Sequence, residues 1–343
     1  MPDRKPVSLR LLAPFAAALA LIAGTAQAGP TLDAVKARST VKCGVLNSPG
    51  GSAPDANGEW RGFNADFCRA IAAALFNDPR KVEFVATTRQ QRFTAIQSGE
   101  VDVLIAGVTQ TVTRALQLGL HFGPIVLHDG QGFLVPKALK VAKATELDGA
   151  TVCTMPGTTT ELNVTDFFRL NKISYKPVVA EEFREVLAAF TAGRCDVLTQ
   201  DASALAITRS QLPKPDDYVL LPERISKEPI APAVRFGDDQ WQEIVNWTIW
   251  ATIQAEEFGI ARDTVDGFAG SPDPSVRRFL GIDPGIGEAI RLDPRWAYNI
   301  VKAVGNYGEI FERNYGKDSP LKFARGPNEL VQRGGLIVSP PFR

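Results

Sequence analysis

Three segments of the sequence place polar or charged side chains directly after a predicted strand. Residues 107–114 read Gly-Val-Thr-Gln-Thr-Val-Thr-Arg and follow an apolar run. Residues 155–161 read Met-Pro-Gly-Thr-Thr-Thr-Glu and follow a second predicted strand, and Asp201 follows a third. Ligands of parallel α/β sheets bind beyond the carboxyl ends of the strands. The three segments are therefore candidate ligand contacts.

Their residue types fit a small zwitterion, with one carboxylate and one ammonium. The guanidinium of Arg114 can hold a carboxylate through two parallel hydrogen bonds. The free amides at the start of the helix near Thr159 can bind the same group, and the carboxylate of Asp201 can accept hydrogen bonds from an ammonium. Each assignment has a simpler alternative: a solvated arginine at a helix start, a capping box at residues 158–161, and an N-cap at Asp201.

Composition argues against several other classes of function. Lys and Arg together number 38, as do Asp and Glu, so no strong field is available for nucleic acid or an anionic membrane. The sequence contains no phosphate loop, GxSxG or HExxH motif. With two His and no CxxC pair, a structural zinc site is not expected, and neither is a cofactor.

Strand and helix signals alternate along the chain, which predicts an α/β fold. One such unit, residues 93–104, recurs at residues 187–198 with the same helix, glycine stop and Asp-Val-Leu strand start. The repeat predicts two similar Rossmann-like lobes, although a chance likeness between two ordinary units is the alternative.

Two extended segments can connect these lobes as a two-strand hinge, which would let the lobes close around a ligand. The predicted division is residues 39–133 with 235–283 as lobe 1, 134–234 as lobe 2, crossovers near 133–137 and 229–234, and 284–343 as a C-terminal extension on the surface.

The N-terminal segment has the pattern of a secretory signal peptide. Arg4, Lys5 and Arg10 precede the apolar run 11–23, and a small-x-small sequence ends at Ala28. We expect residues 1–28 to be removed by cleavage near Ala28, which places the mature protein in the periplasm. A retained anchor helix is the alternative. Export permits disulfides, and the four cysteines allow three pairings.

At these residues the sequence resembles a known family, the bacterial extracellular solute-binding proteins of family 3. The likeness extends to the long-chain subgroup that binds L-amino acids and covers nearly the whole mature chain. The matching motifs are residues 62–70, 92–103, 130–133, 157–163, 193–197, 296–298, 304–309 and 334–336.

The resemblance implies a fold, a function and a set of ligand contacts. The fold is the type 2 periplasmic binding protein fold, or Venus flytrap, and the protein is a monomer that delivers free L-amino acids to an inner-membrane ABC permease. Arg114 would bind the ligand carboxylate with the hydroxyl of Thr109 and the backbone of Gly107. Thr159 would bind the carboxylate from the other lobe, and Asp201 would bind the ammonium.

The resemblance also implies one disulfide inside each lobe, Cys43–Cys68 and Cys153–Cys195. The chain departs from the subgroup where ligand side chains are recognised. Residues 47–52 contain no aromatic residue, Val126 and Leu127 stand where an aromatic pair is expected, and Gln110 stands where Trp is common. The ligand could therefore be an amino acid derivative. A second hypothesis is a dehydratase-like periplasmic enzyme on the same fold, with Glu59, His128 and Asp129 as its nearest acid or base candidates.

Overall fold

The computed structural model describes residues 29–48 and 50–343. The predicted signal peptide, residues 1–28, lies outside the described residues. In the described part, the strands are β1 (Val41–Leu46), β2 (Ala53–Pro54), β3 (Trp60–Arg61), β4 (Val82–Thr87), β5 (Val103–Leu104), β6 (Leu120–Phe122), β7 (Leu127–Asp129), β8 (Gln131–Pro136), β9 (Ala150–Thr154), β10 (Tyr175–Val179), β11 (Val197–Asp201), β12 (Tyr218–Leu220), β13 (Glu228–Ile230) and β14 (Ala233–Arg235).

Helices alternate with these strands. The α-helices are α1 (Pro30–Arg38), α2 (Phe63–Phe76), α3 (Gln91–Ser98), α4 (Val112–Leu116), α5 (Thr159–Leu170), α6 (Phe183–Thr191), α7 (Ala202–Gln211), α8 (Asp239–Glu257), α9 (Pro274–Phe279), α10 (Ile286–Ala289), α11 (Trp296–Val304) and α12 (Tyr307–Asn314). Short 3₁₀ helices lie at Lys137–Leu139, Ala144–Glu146, Pro215–Asp217, Val265–Gly270, Gly326–Asn328 and Val331–Arg333.

Two five-stranded sheets of the same pattern form the two lobes, which confirms the predicted α/β fold. The first has the order β4-β1-β5-β14-β6, and the second has the order β10-β9-β11-β8-β12. In each sheet three parallel strands lie side by side, and the next strand is antiparallel to them. This antiparallel strand is β14 in the first sheet and β8 in the second, and each follows a crossover between the lobes. The central strand β1 is almost wholly buried, as expected for a parallel strand with both faces covered.

The repeated sequence unit supplies equivalent elements of the two lobes. Its copies contribute α3 with β5 and α6 with β11. The glycine that ends each helix, Gly99 or Gly193, has a positive φ, +79° and +70° respectively. A left-handed residue at this place closes a helix and favours glycine. The shared pattern therefore reflects a shared local structure.

The hinge is the antiparallel pair of β7 and β13, joined in register with Asp129 opposite Glu228. The second crossover was predicted at residues 229–234, where β13 ends and β14 begins. The first crossing lies at β7 rather than at residues 133–137, because β8 is paired on both sides with β11 and β12 inside the second sheet. The other predicted lobe bounds stay predictions.

The C-terminal segment is part of the first core, which corrects the expectation of a surface extension. Trp296, Ile300 and Tyr307 are fully buried in the cluster that contains α2 and α8. Residues 296–311 form two helices and not one: α11 ends at Gly305, and Asn306 then begins α12 with a capping box. Because of this break, the apolar face of α12 also packs against the first core.

Each lobe contains one disulfide, and both pairings implied by the resemblance are confirmed. Cys43–Cys68 joins β1 to α2, and Cys153–Cys195 joins β9 to the segment before β11. Neither bridge crosses the hinge, so neither restricts movement between the lobes. Among residues 29–48 and 50–343, no helix has the length and hydropathy needed to cross a membrane.

Candidate ligand-binding cleft

A cavity of about 60 Å³ lies between the two lobes, in front of the hinge. The first lobe contributes Arg89 and Gly107 to its lining, the hinge contributes Asp129, and the second lobe contributes Asp201. We call this space the cleft cavity. Two predicted ligand contacts, Gly107 and Asp201, therefore line one cavity, although they are far apart in the sequence.

The carboxylate of Asp201 faces the cleft cavity because another residue caps the helix that follows. Asp201 precedes α7, but its side chain accepts no capping hydrogen bond. Instead, Asp129 Oδ2 accepts a bond of 3.2 Å from the backbone N–H of Ser203, in the first turn of α7. Among the described residues, no donor lies within hydrogen-bond distance of the Asp201 carboxylate. The N-cap alternative for its side chain is thus not what the structure contains.

Asp201 has an unusual protonation equilibrium. Burial raises its pKa from 3.8 to about 7, and the negative charges of Asp129 and Glu228 add to the increase, while Arg89 and Arg92 oppose it. Burial also raises the pKa of Asp129. A buried carboxylate without a partner is unfavourable. A cation placed in the cleft cavity would relieve this cost for Asp201, whereas Asp129 already accepts bonds from the backbone N–H groups of Gly130 and Ser203.

Arg114 is buried and is not a solvated helix-start residue, and it is not one of the described residues that line the cleft cavity. It lies in the short helix α4, which begins after a cap from the Thr111 hydroxyl. The residue is 7% exposed, and its Nη1 donates a bond of 2.9 Å to the Thr109 carbonyl. Burial lowers its pKa, whereas the charges of Glu228 and Asp201 favour the cation. Its guanidinium also lies over the ring of Phe93, 5.1 Å from the centroid.

The hydroxyls of Thr109 and Thr159, which belong to different lobes, bind the same carboxylate. That carboxylate is the side chain of Glu228, which the sequence analysis did not identify. Both hydroxyls donate to Oε2 of Glu228, at 2.5 and 3.1 Å. Oε1 of Glu228 accepts bonds from Asn163 at 2.8 Å and Ser226 at 2.5 Å. Glu228 is 1% exposed. In this closed arrangement one hinge residue therefore joins the first lobe to the second.

The helix start near Thr159 contains two adjacent threonines, of which one caps the helix and the other does not. Thr158 caps α5 by accepting a bond from the backbone N–H of Glu161, and Glu161 accepts one from Gly157. The neighbouring Thr159 hydroxyl is left to contact Glu228. Thr158 therefore caps the helix, and the hydroxyl of Thr159 contacts the hinge residue Glu228.

Sequence reasoning missed two arginines and the hinge glutamate. Arg89 lines the cleft cavity, and Arg92 is 3% exposed with its Nη1 on the Ala106 carbonyl at 3.1 Å. Both follow β4, so the rule that identified Arg114, a charge beyond the carboxyl end of a parallel strand, could have found them. Glu228 gave a weaker signal, a single acid at the start of an apolar crossover.

Comparison with known proteins identifies the family. Residues 41–261 match the model of the bacterial extracellular solute-binding proteins, family 3. The chain belongs to this family. A relative from Rhizobium johnstonii, the general L-amino acid-binding periplasmic protein AapJ, is 52% identical over 97% of this chain and 98% of its own.

Two further relatives are similar over almost their full length. The glutamate/glutamine/aspartate/asparagine-binding protein BztA of Rhodobacter capsulatus is 48% identical over 94% of this chain and 96% of its own. A solved periplasmic binding protein of an ABC transporter from Brucella ovis, with glutathione bound, has a TM-score of 0.89 and 48% identity. That structure covers 91% of this chain and 99% of its own. The type 2 periplasmic binding protein fold is therefore confirmed for this member of the family.

Proposed function

We propose that this solute-binding protein captures free L-amino acids in the periplasm and delivers them to an inner-membrane ABC permease. In this proposal residues 1–28 form a signal peptide cleaved near Ala28, and the mature protein acts as a monomer without a cofactor. The observation that carries the proposal is the unpartnered carboxylate of Asp201, which faces a cavity enclosed by both lobes. An α-ammonium is the cation that such a site can hold.

The opposite charge of the ligand has its own place in the proposal. Arg114 is buried beside Thr109, and Arg89 lines the same cavity as Asp201. A ligand carboxylate directed at these arginines would leave its ammonium near Asp201. Arg114, Thr109, Gly107 and Thr159 are the contacts that the family resemblance implies for the carboxylate end. Thr109 and Thr159 would have to release their hydroxyl bonds to Glu228 in order to donate to a ligand carboxylate.

Closure of the lobes follows from contacts made by both of them. Thr109 and Thr159 share Glu228 only when the lobes are together, because Thr109 lies in the first lobe and Thr159 begins α5 in the second. A ligand stabilises the closed form by as much as it binds that form better than the open one. Contacts to Arg114 in one lobe and Asp201 in the other would supply that difference.

Binding to free amino acids gives the first test. Protein freed of bound ligand by denaturing dialysis should melt at a higher temperature in the presence of one or more of the common L-amino acids, since ligand binding stabilises the folded state by mass action. The panel should include glutathione, because a relative was solved with it bound. If no compound of the panel raises the melting temperature or gives heat in calorimetry, the proposal is wrong.

Arg114→Ala tests the carboxylate site. The substitution should cost about 2–5 kcal/mol of binding free energy, because the ligand carboxylate would be buried without its partner. The matched control is Arg169→Ala, since Arg169 is exposed and pairs with Asp166. Equal affinities of the wild type and Arg114→Ala, measured by calorimetry, would remove Arg114 from the site.

A dehydratase-like enzyme is the second candidate, and one observation favours it. Such an enzyme needs a carboxyl with a raised pKa, and Asp129 and Asp201 both have one. Glu59, another candidate acid, lies on an exposed hairpin paired with Arg61. Because the relatives described above are binding proteins, we propose that this chain is not an enzyme. Recovery of each bound ligand chemically unchanged after long incubation would support this, and turnover would contradict it.

A further inference from the structure

The C-terminal segment contributes one side chain to the cleft cavity. Tyr315, which follows α12, lines this cavity together with Asp129 and Asp201. Its ring also borders a second cavity of about 310 Å³, so it forms a wall between the two spaces. The residue lies beyond residues 41–261, the part of the chain that matches the family model. The shared family fold therefore does not account for it.

Tyr315 is held firmly in this position by the first lobe. The two residues before it, Arg313 and Asn314, both donate to Oδ2 of Asp66 in α2, at 2.9 and 2.8 Å. Its ring packs against Phe63 at 4.9 Å between centroids. The residue is 5% exposed. A side chain fixed in this way contacts a ligand without a large loss of conformational entropy.

The hydroxyl of Tyr315 has no partner within the described part of the chain, which is uncommon for a buried tyrosine. Burial, together with the charges of Asp129 and Asp201, raises its pKa, so the hydroxyl stays neutral and can accept a hydrogen bond. No hydrogen bond joins it to either carboxylate among the described residues, although all three residues line one cavity. The two carboxylates and the hydroxyl are all acceptors, so a donor placed in this cavity could bond to each of them.

An α-ammonium is such a group, because it carries three N–H donors and no acceptor. We infer that the ammonium of a bound amino acid is held by Asp201, Asp129 and the hydroxyl of Tyr315. The C-terminal segment is then a part of the binding site and gives the cleft a preference for a primary amine. This inference rests on the proposed function and extends it to a residue outside the matched family region.

The test compares Tyr315→Phe with the wild type on matched ligand pairs. Each amino acid that the wild type binds is paired with the carboxylic acid that lacks its α-amino group, such as L-glutamate with glutarate, and affinities are measured by calorimetry or by competition. Loss of one hydrogen bond donated by the charged ammonium should weaken binding of the amino acid by about 10- to 150-fold. The des-amino acid should bind both proteins equally, because it has no ammonium to lose a contact.

The control is Tyr298→Phe, which removes a hydroxyl from the same segment but outside the cavity, where it bonds to Asp266. Phe keeps the ring packing at position 315, and an unchanged melting temperature would show that the fold is retained. An unchanged affinity of Tyr315→Phe, or equal losses for an amino acid and its des-amino partner, would overturn the inference. If the wild type binds none of the amino acids, the proposed function itself fails, which is a separate outcome.

Discussion

Replacing Asp201 by Asn should stabilise the ligand-free protein and weaken ligand binding at the same time. The Asp201 carboxylate is buried near Asp129 and Glu228, and the arginines that oppose their effect, Arg89 and Arg92, do not cancel it. Its charged form therefore destabilises the empty protein. Asn removes this charge with little change in volume, but it also removes the anion that we propose for the ligand ammonium.

The size of the effect follows from the pKa of Asp201, which is 3.8 when unperturbed and about 7 in the folded protein. Because the folded state holds the proton more tightly, the stabilising contribution is complete below pH 3.8 and is lost as the pH rises through about 7. Between about pH 5 and about pH 8 the wild type should lose about 2–3 kcal/mol of unfolding free energy relative to Asp201→Asn.

Urea denaturation of both ligand-free proteins at several pH values measures this difference. The comparison between variants cancels the titration of groups that Asp201 does not influence. We expect the two stability curves to converge towards low pH and to separate as Asp201 ionises. Parallel curves from about pH 5 to about pH 8 would refute the reasoning, because they would mean that Asp201 ionises with an ordinary pKa. In calorimetry, Asp201→Asn should bind amino acids more weakly, whereas the des-amino acids should be little affected.

Two further variants test the hinge and the disulfide of the second lobe. Glu228→Gln should weaken ligand binding by about 10-fold or more, because bonds to a charged group contribute about 1.5–3 kcal/mol each. The bonds that Thr109 and Thr159 donate to Glu228 link the two lobes. If calorimetry gave an unchanged affinity, Glu228 would not support closure. Replacing Cys153 and Cys195 together by Ser should lower the unfolding free energy by about 2–4 kcal/mol, since their bridge closes a loop inside one lobe. Ligand affinity measured well below the melting temperature should change little, and a large loss of affinity without loss of stability would contradict this account.

The elements that the sequence predicted well are those with a strong local pattern. The apolar residues 41–46 form β1, and the long helix α8 begins after Asp238, whose side chain caps it. The glycine stops at residues 99 and 193 also lie where expected. In each case hydrophobic periodicity or a special backbone angle fixes the structure within a few neighbouring residues.

Predictions that depended on distant partners were less accurate. The run 101–106 forms a regular strand only at β5, and residues 133–137 lie largely in β8 instead of the hinge. Nothing local distinguishes an apolar strand inside a sheet from one that links two sheets. The C-terminal segment was expected on the surface because of its Pro, Gly and charged residues, but its buried Trp296 and Tyr307 belong to the first core.

The sequence by itself determined the two-lobe α/β fold and which strand ends carry an arginine, threonines and an aspartate. The tertiary structure decided what these side chains face. In the folded protein Asp129 caps α7, so Asp201 is left to line the cleft. Glu228 and Tyr315, from other parts of the chain, also lie at this site. The physical reason is that electrostatic environment depends on burial and on charges close in space. Neither quantity can be obtained from local sequence, because the groups that create them are distant along the chain.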